Sequence, residues 1–298
     1  MNTAILPANK FAKYAKNNYS QCGEDGILEK ILDSIPKKDS WCVEFGAWDG
    51  IHLSNTYNLI KHRNYKSVLI EADNKKYLDL RENLKEFESI LINKFVMFSG
   101  DNTLDKLLSQ TPIPQNFDFL SIDIDGNDYH ILDSLVLYKP KVICIEFNPT
   151  IPNEVNYVQP KDFNVKRGSS ARAVFSLAKT KGYSLVAVTR CNLIFVDSTY
   201  LSNLEIEDYD LSELRDDSKE RAFVFVGFDG TICLSQPIKL IWHDLKVGDE
   251  DIQILPKSIR HFRSDYSFIQ RLMYAMFILV KNPKDFFSRI KRKFNLDI

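Results

Sequence analysis

Two groups of residues could do chemistry, and both are strand ends rich in acids. WCVEFGAWDG, residues 41–50, reads as a buried strand through Trp41, Cys42, Val43, Glu44 and Phe45. It then breaks into a tight turn at Gly46, Ala47, Trp48, Asp49 and Gly50. A second apolar run, Ser67 to Ile70, ends in Glu71. Strand, glycine turn, helix, strand and terminal acid make one nucleotide-binding βαβ unit. Glycines let a ligand approach the backbone, the helix start offers free amides, and a carboxylate about 20 residues further on grips two ribose hydroxyls. The expected occupant is an adenosine.

The second group is SIDIDGND, which places Asp123 and Asp125 two apart, and IEFNP, which repeats the device with Glu146 and Asn148. On extended backbone, residues two apart face the same side. If the two strands are neighbours about 4.8 Å apart, up to four oxygen-bearing side chains meet at their ends. Three carboxylates that close repel one another unless a proton or a cation intervenes. A hard divalent ion such as Mg²⁺ or Ca²⁺ is the direct solution, with Asp123, Asp125, Glu146 and Asn148 as its ligands. The other reading stays open, in which Asp125, Gly126, Asn127 and Asp128 form a turn and helix cap.

Positioning these ends requires a sheet, and the chain supplies one. A polar lead-in is followed by a helix through Ile27, Leu28, Ile31, Leu32 and Ile35, closed by Pro36. Beyond Glu71 the pattern predicts a helix over 74–87, a strand over 90–98 and a short helix over 103–108. It continues with a strand over 117–124, a helix over 129–137, a strand over 141–147 and a helix over 169–181. Two closing strands follow, over 183–188 and 192–196. Apolar strands alternating with helices mean a mostly parallel sheet covered on both faces. The fold class expected is α/β, a Rossmann-like sheet of seven strands whose last runs antiparallel. Residues 1–40 form a helical lead-in, 41–200 the nucleotide-binding domain, 201–263 a β-rich extension or cap, and 264–298 an amphipathic basic helix. Within the extension, residues 221–235 read as a hairpin around Asp229 and Gly230, and residues 238–247 as a further strand.

Composition narrows the partners. The chain has 298 residues, with 39 basic residues against 40 acidic ones, so no global field favours nucleic acid. Five scattered cysteines without a CxxC pair suggest neither zinc nor redox work, and most of them read as small core residues in a reducing cytoplasm. The first twenty residues lack the apolar block of a signal peptide, so a cytoplasmic location is expected. Leu272 to Val280 is far shorter than the roughly 20 apolar residues that span a bilayer. Three readings of the C-terminal stretch stand: a buried helix with a solvated tail, peripheral membrane contact through Phe286, Phe287, Arg289, Lys291, Arg292 and Lys293, or a homo-oligomer contact.

VEFGAWDG, SNTYNL, VLIEAD and DFLSIDIDGNDYHIL, in that order, resemble the FkbM-type branch of the S-adenosylmethionine-dependent methyltransferases, over roughly residues 19–196. The resemblance implies S-adenosylmethionine as cofactor, with Glu44, Gly46 and Asp49 bordering its methionine half, Glu71 on the ribose and Asp101 near the adenine. Gln21 and Asn55 are further candidates for its carboxylate end. Trp48 and Asp49 inside the turn depart from the commonest methyltransferase glycine pattern. The paired acids are similar to the set in metal-dependent O-methyltransferases of the catechol and sugar types.

The expected reaction is O-methylation of a sugar or sugar nucleotide for a surface polysaccharide, the sugar resting on the resemblance alone. Asp123 and His130 are the candidates for the base that takes the acceptor proton, with His52 and His243 after them. The loop from Asn148 to Gly168, with Asn153, Asn156, Tyr157, Gln159, Lys161 and Arg167, suits a glycosyl phosphate. Two other classes remain: a nicotinamide-dependent oxidoreductase, although GxGxxG is absent, and a noncatalytic glycan-assembly protein retaining the fold.

Overall fold

Strict alternation on the central strands builds two apolar layers. Val43 and Phe45 of β1 (Trp41–Phe45), Val68 and Ile70 of β2 (Lys66–Ile70), Leu120 and Ile122 of β4 (Phe119–Ile122), and Ile143 and Ile145 of β5 (Val142–Glu146) share one buried cluster. Cys42, Leu69, Phe119, Val142 and Cys144 point the other way into a second cluster. The first layer is covered by α4 (Leu104–Leu108), α5 (Asp128–Ser134) and α6 (Ala171–Thr180). The second is covered by α1 (Glu24–Ser34) and α2 (Tyr57–Arg63), while α3 (Asn74–Asn83) adds Leu80. With β3 (Ser89–Ile92), β6 (Tyr183–Val188) and β7 (Asn192–Asp197), the strand order is β3-β2-β1-β4-β5-β7-β6. Only β7 runs against the rest, inserted between β5 and β6. A computed structural model describes residues 9–36 and 38–294.

The chain divides into two compact units, Met1–Glu220 and Arg221–Ile298. The first takes in the short helices α7 (Leu201–Leu204) and α8 (Leu211–Leu214), so the division falls after residue 220 and not at the expected 200. The reason is burial. Arg215 reaches back to donate to the carbonyls of Pro149 and Ile151 and to Asn153 Oδ1, at 2.7–2.9 Å, and stacks on Phe147. The 197–220 stretch is therefore a brace.

In the second unit the expected hairpin forms from β8 (Val224–Val226) and β9 (Ile232–Leu234). Residues 238–247 give not one strand but a second hairpin, β10 (Ile238–Leu240) and β11 (Leu245–Val247), folded over a turn at Asp244. Neither hairpin joins the seven-stranded sheet. The terminal stretch forms two helices, α9 (Phe268–Lys281) and α10 (Pro283–Phe294), broken at Pro283, whose ring cannot continue a helix from its preceding turn. No residue of α9 is buried, which overturns the buried-helix reading. Among the described residues, no helix is long and apolar enough to cross a membrane.

Two expected strands are shorter than their apolar runs. The third stops at Ile92, where its pairing with β2 ends, and the fourth stops at Ile122. Beyond Ile122 the chain turns at once, with Asp125 at φ +56° and Gly126 at φ +139°. This turn runs against the one after β1. Gly46 has φ +70°, and a Cβ there would stand 2.6 Å from the Asp123 carbonyl oxygen. Only glycine fits both the space and the dihedral. Gly46→Ala is expected to cost about 1–3 kcal/mol of folding stability from the left-handed backbone alone, with the clash added to it, as read by urea unfolding of the full chain.

Candidate active site

The parallel strands β1, β2, β4 and β5 all end at one edge, and register places their last residues level. Phe45 pairs with both Ile70 and Ile122, and Ile122 with Ile145. The loops that start at Gly46, Glu71, Asp123 and Glu146 therefore open side by side.

Glu44, still on β1, is buried and spoken for. Its carboxylate accepts from Ser54 Oγ at 2.6 Å, Thr56 Oγ1 at 2.7 Å and the Asn55 amide at 2.9 Å, holding the chain that enters α2. Asn55 in turn donates to Ser121 Oγ on β4. Asp49 turns inward on its own loop, its Oδ1 accepting from the amides of Ile51 and His52. Glu71 uses both carboxylate oxygens to hold the turn. One oxygen takes the Trp48 amide at 2.8 Å and the other the Asp73 amide at 2.7 Å. Each oxygen keeps an acceptor position for one further donor. Trp48 packs edge-on against His52 and under the Lys76 ammonium, 43% exposed, and its backbone sits at φ +49°.

Asp123, Asp125 and Glu146 come together, with one carboxylate oxygen from each within 4.8 Å of the others. Strand alternation does not bring this about, because Asp125 has already left the strand and the left-handed turn carries its side chain back. Burial and the neighbouring acids push Asp123 up to about 8 and Glu146 up to about 10. Asp128 is held to about 6, because the amides of Ile124 and Gly126 offset part of its burial. Asp128 is thus the cap of the turn, and the cap and the acid cluster coexist.

The fourth expected ligand does not join. Asn148 Oδ1 accepts from the amide and hydroxyl of Thr150, and its Nδ2 donates to the Arg167 carbonyl, because the chain after β5 folds into its own turn there. His130 is on α5 with its Nε2 2.8 Å from the Gln159 carbonyl and its ring between Phe98 and Tyr129, so that nitrogen carries a proton and acts as a donor. Gln21 is exposed in the turn before α1. Asp101 lies almost wholly in solvent, paired with Lys106 at 2.8 Å.

In the 148–168 loop, Asn153 and Gln159 are buried anchors. Asn153 bonds to Arg215 and Asp217, and Gln159 accepts from the amides of Arg167 and Gly168. Asn156, Lys161 and Arg167 remain exposed. An aromatic stack that the sequence pattern does not announce joins this loop to the chain after β3: Phe98 and Phe163 lie face to face at 4.1 Å, with Phe95 edge-on. The signal available was the pair Phe95 and Phe98, which falls within the apolar run expected to be a strand. A recess of about 510 Å³ beside Trp41, Lys66, Ser89 and Ile90 lies at the amino ends of β1–β3, the opposite edge, and contains none of these groups.

Strand order and the single antiparallel strand define a Rossmann-like class I methyltransferase fold. The model of the methyltransferase FkbM domain matches residues 99–185. The match holds β4, the Asp123–Asp128 turn and β5, and begins after the glycine turn and Glu71.

Solved structures similar to the chain include a SAM-dependent methyltransferase from Aquifex aeolicus (15% identity, 64% of this chain and 97% of that one, TM-score 0.35). Another is SAM-bound CalS10, an amino pentose methyltransferase from Micromonospora echinaspora (11% identity, 61% and 99%, TM-score 0.37). A third is the CurJ carbon methyltransferase (11% identity, 58% of this chain and 52% of that one, TM-score 0.38). No curated protein matches the chain.

The acid cluster has a pH signature. Both raised carboxyls stand above the roughly 4 of an unfolded chain, so their contribution to stability is fully present below about pH 4 and is lost as pH rises through about 8 and then about 10. In EDTA, Glu146→Gln should match the wild type near pH 4 and become progressively more stable than it toward about pH 9 in urea unfolding.

Proposed function

We propose that the chain is an S-adenosylmethionine-dependent O-methyltransferase acting on a hydroxyl of a sugar or sugar nucleotide, assisted by a divalent cation. The observation that carries this reading is the gathering of Asp123, Asp125 and Glu146 at the carboxyl edge, directly against the Gly46 turn. The donor fits here because Gly46 is exposed at the carboxyl edge, and Glu71 keeps two acceptor positions for the paired ribose hydroxyls. A hard cation fits the three carboxylates, whose mutual repulsion it would relieve; Asn148 is not part of that set. Bound there, the donor supplies an electrophilic methyl on a sulfonium, and the cation supplies Lewis acidity toward adjacent hydroxyls.

The rest falls to the chain. The turn and the strand ends must hold the acceptor oxygen about 3 Å from the methyl carbon, in line with the bond that breaks. Asp123, at the carboxyl end of β4 beside the Gly46 turn, is the group assigned to take the acceptor proton. His130 is left to support the loop through Gln159. The exposed Lys161 and Arg167 suit the phosphate of a sugar nucleotide, and the sugar itself is favoured by the resemblance to FkbM-type methyltransferases.

Calorimetry decides first between S-adenosylmethionine and NAD. Binding of the first and not of the second is expected, and Glu71→Gln should weaken it roughly 10- to 100-fold, the worth of charge-assisted hydrogen bonds. In turnover with sugar nucleotides, EDTA should abolish consumption of the donor and Mg²⁺ should restore it. NAD binding alone would replace this reading with an oxidoreductase. Donor binding without any turnover would favour the noncatalytic protein.

A further inference from the structure

Cys22 and Cys191 are 169 positions apart in sequence, yet their sulfurs lie 3.9 Å apart. Neither sits inside a regular element. Cys22 immediately precedes Gly23, the N-cap of α1, and Cys191 is in the turn between β6 and β7. Both are partly accessible, whereas Cys42 and Cys144 are buried on strands and Cys233 belongs to the other unit. The two turns are already clasped. Buried Glu24 accepts from Thr189 Oγ1 at 2.6 Å and Asn192 Nδ2 at 3.0 Å, on either side of Cys191, and its other oxygen takes the Cys22 amide at 2.7 Å. Cys191 also abuts the acid cluster, because its carbonyl accepts from the amide of Phe147, next to Glu146.

We propose that Cys22 and Cys191 form a reversible disulfide, a modification site that fixes the Ser20–Gly23 turn to the β6–β7 turn beside Glu146. Closing from 3.9 Å to a bond of about 2 Å asks only for side-chain rotation and a small shift of two turns. The oxidant is a low-molecular-weight disulfide such as oxidised glutathione. The Cys22 thiolate attacks one of its sulfurs and a glutathione thiolate leaves; the Cys191 thiolate then attacks the Cys22 sulfur and the second glutathione leaves. Two protons and two electrons pass from the protein pair to the glutathione pair. Cys22 is the nucleophile, lowered below the ordinary thiol range by the hydrogen bond from Cys191 and by Arg190, while the same bond raises Cys191.

The test equilibrates the full chain across glutathione redox ratios, alkylates the free thiols and maps the peptides. A Cys22–Cys191 cross-link, three alkylated cysteines and slower hydrogen exchange over residues 20–23 are expected in the oxidised sample. Cys191→Ser should trap glutathione on Cys22, and Cys22→Ser should leave Cys191 unmodified at the same ratio. Alkylation of both cysteines in the oxidised wild type, or cross-links only between chains, would overturn the proposal without reliance on either variant.

A separate observation concerns the second unit. Along α9, Phe268, Leu272, Met276 and Val280 follow helical spacing and are 56–83% exposed. The next helix carries Lys284, Arg289, Lys291, Arg292 and Lys293 against Asp285 alone. An apolar stripe followed by a net cation is complementary to an anionic lipid surface. We infer that α9 and α10 dock on such a surface. The full chain should co-sediment with phosphatidylglycerol-containing vesicles and not with pure phosphatidylcholine, and should lose binding in high salt and in Lys291→Glu/Arg292→Glu. Failure to sediment, or a dimer by light scattering that ignores vesicles, would overturn the inference in favour of no occupant or of a second copy.

Discussion

The carboxyl edge of the sheet depends on one close approach, in which the Gly46 turn lies against the carbonyl of Asp123 with no room for a β-carbon. That contact sets how far the turn after β1 stands from the turn after β4, and so joins the nucleotide unit to the acid cluster. Glu71 secures the first turn by taking the Trp48 amide, and Asp128 secures the second by taking the amides of Ile124 and Gly126. Two carboxylates therefore shape the edge, and three others are free to face it.

The two ends of the sheet treat buried charge in opposite ways. At the amino end, Lys141 pairs with Asp118 at 2.6 Å and Asp39 at 2.8 Å, and Asp118 also receives the amides of Asp39 and Ser40. Charge there is compensated and holds strands together. At the carboxyl end, Asp123, Asp125 and Glu146 face one another, and among the described residues no ion pair to a Lys or Arg joins them. Such a cluster is unfavourable until a proton or a ligand intervenes, which is the usual condition of a site and not of a scaffold.

The loop after β5 shows how remote sequence supports this edge. Gln159 binds the loop to itself and to His130, packing on Gly126 at the back of the acid turn. Arg215, from far along the chain, fixes the loop's first half through three oxygens. Asn153 and Gln159, whose types suggest ligand contacts, turn out to be the anchors, and the exposed Lys161 and Arg167 are what the anchors present.

The sheet, its seven strands and its antiparallel member were legible in the sequence, because alternation and helical spacing record which faces are buried. So were the strand-end acids Glu71, Asp123 and Glu146, since a carboxylate that closes an apolar strand must be placed where a turn, a proton or a ligand can satisfy it. Strand lengths were not legible: Phe95 and Phe98 extend an apolar run, but only the end of pairing with β2 shows that they belong to a stack with Phe163. The same limit applied to Asn148, whose type fits a ligand until the turn to Thr150 claims its oxygen, and to Cys22 and Cys191, which look scattered on the chain and meet in space. Sequence determined which strand faces are buried and which acids close the strands, a property of local pattern. Tertiary structure decided which polar atoms were already satisfied, because a hydrogen bond or a thiol contact depends on backbone turns that bring distant segments within a few ångströms.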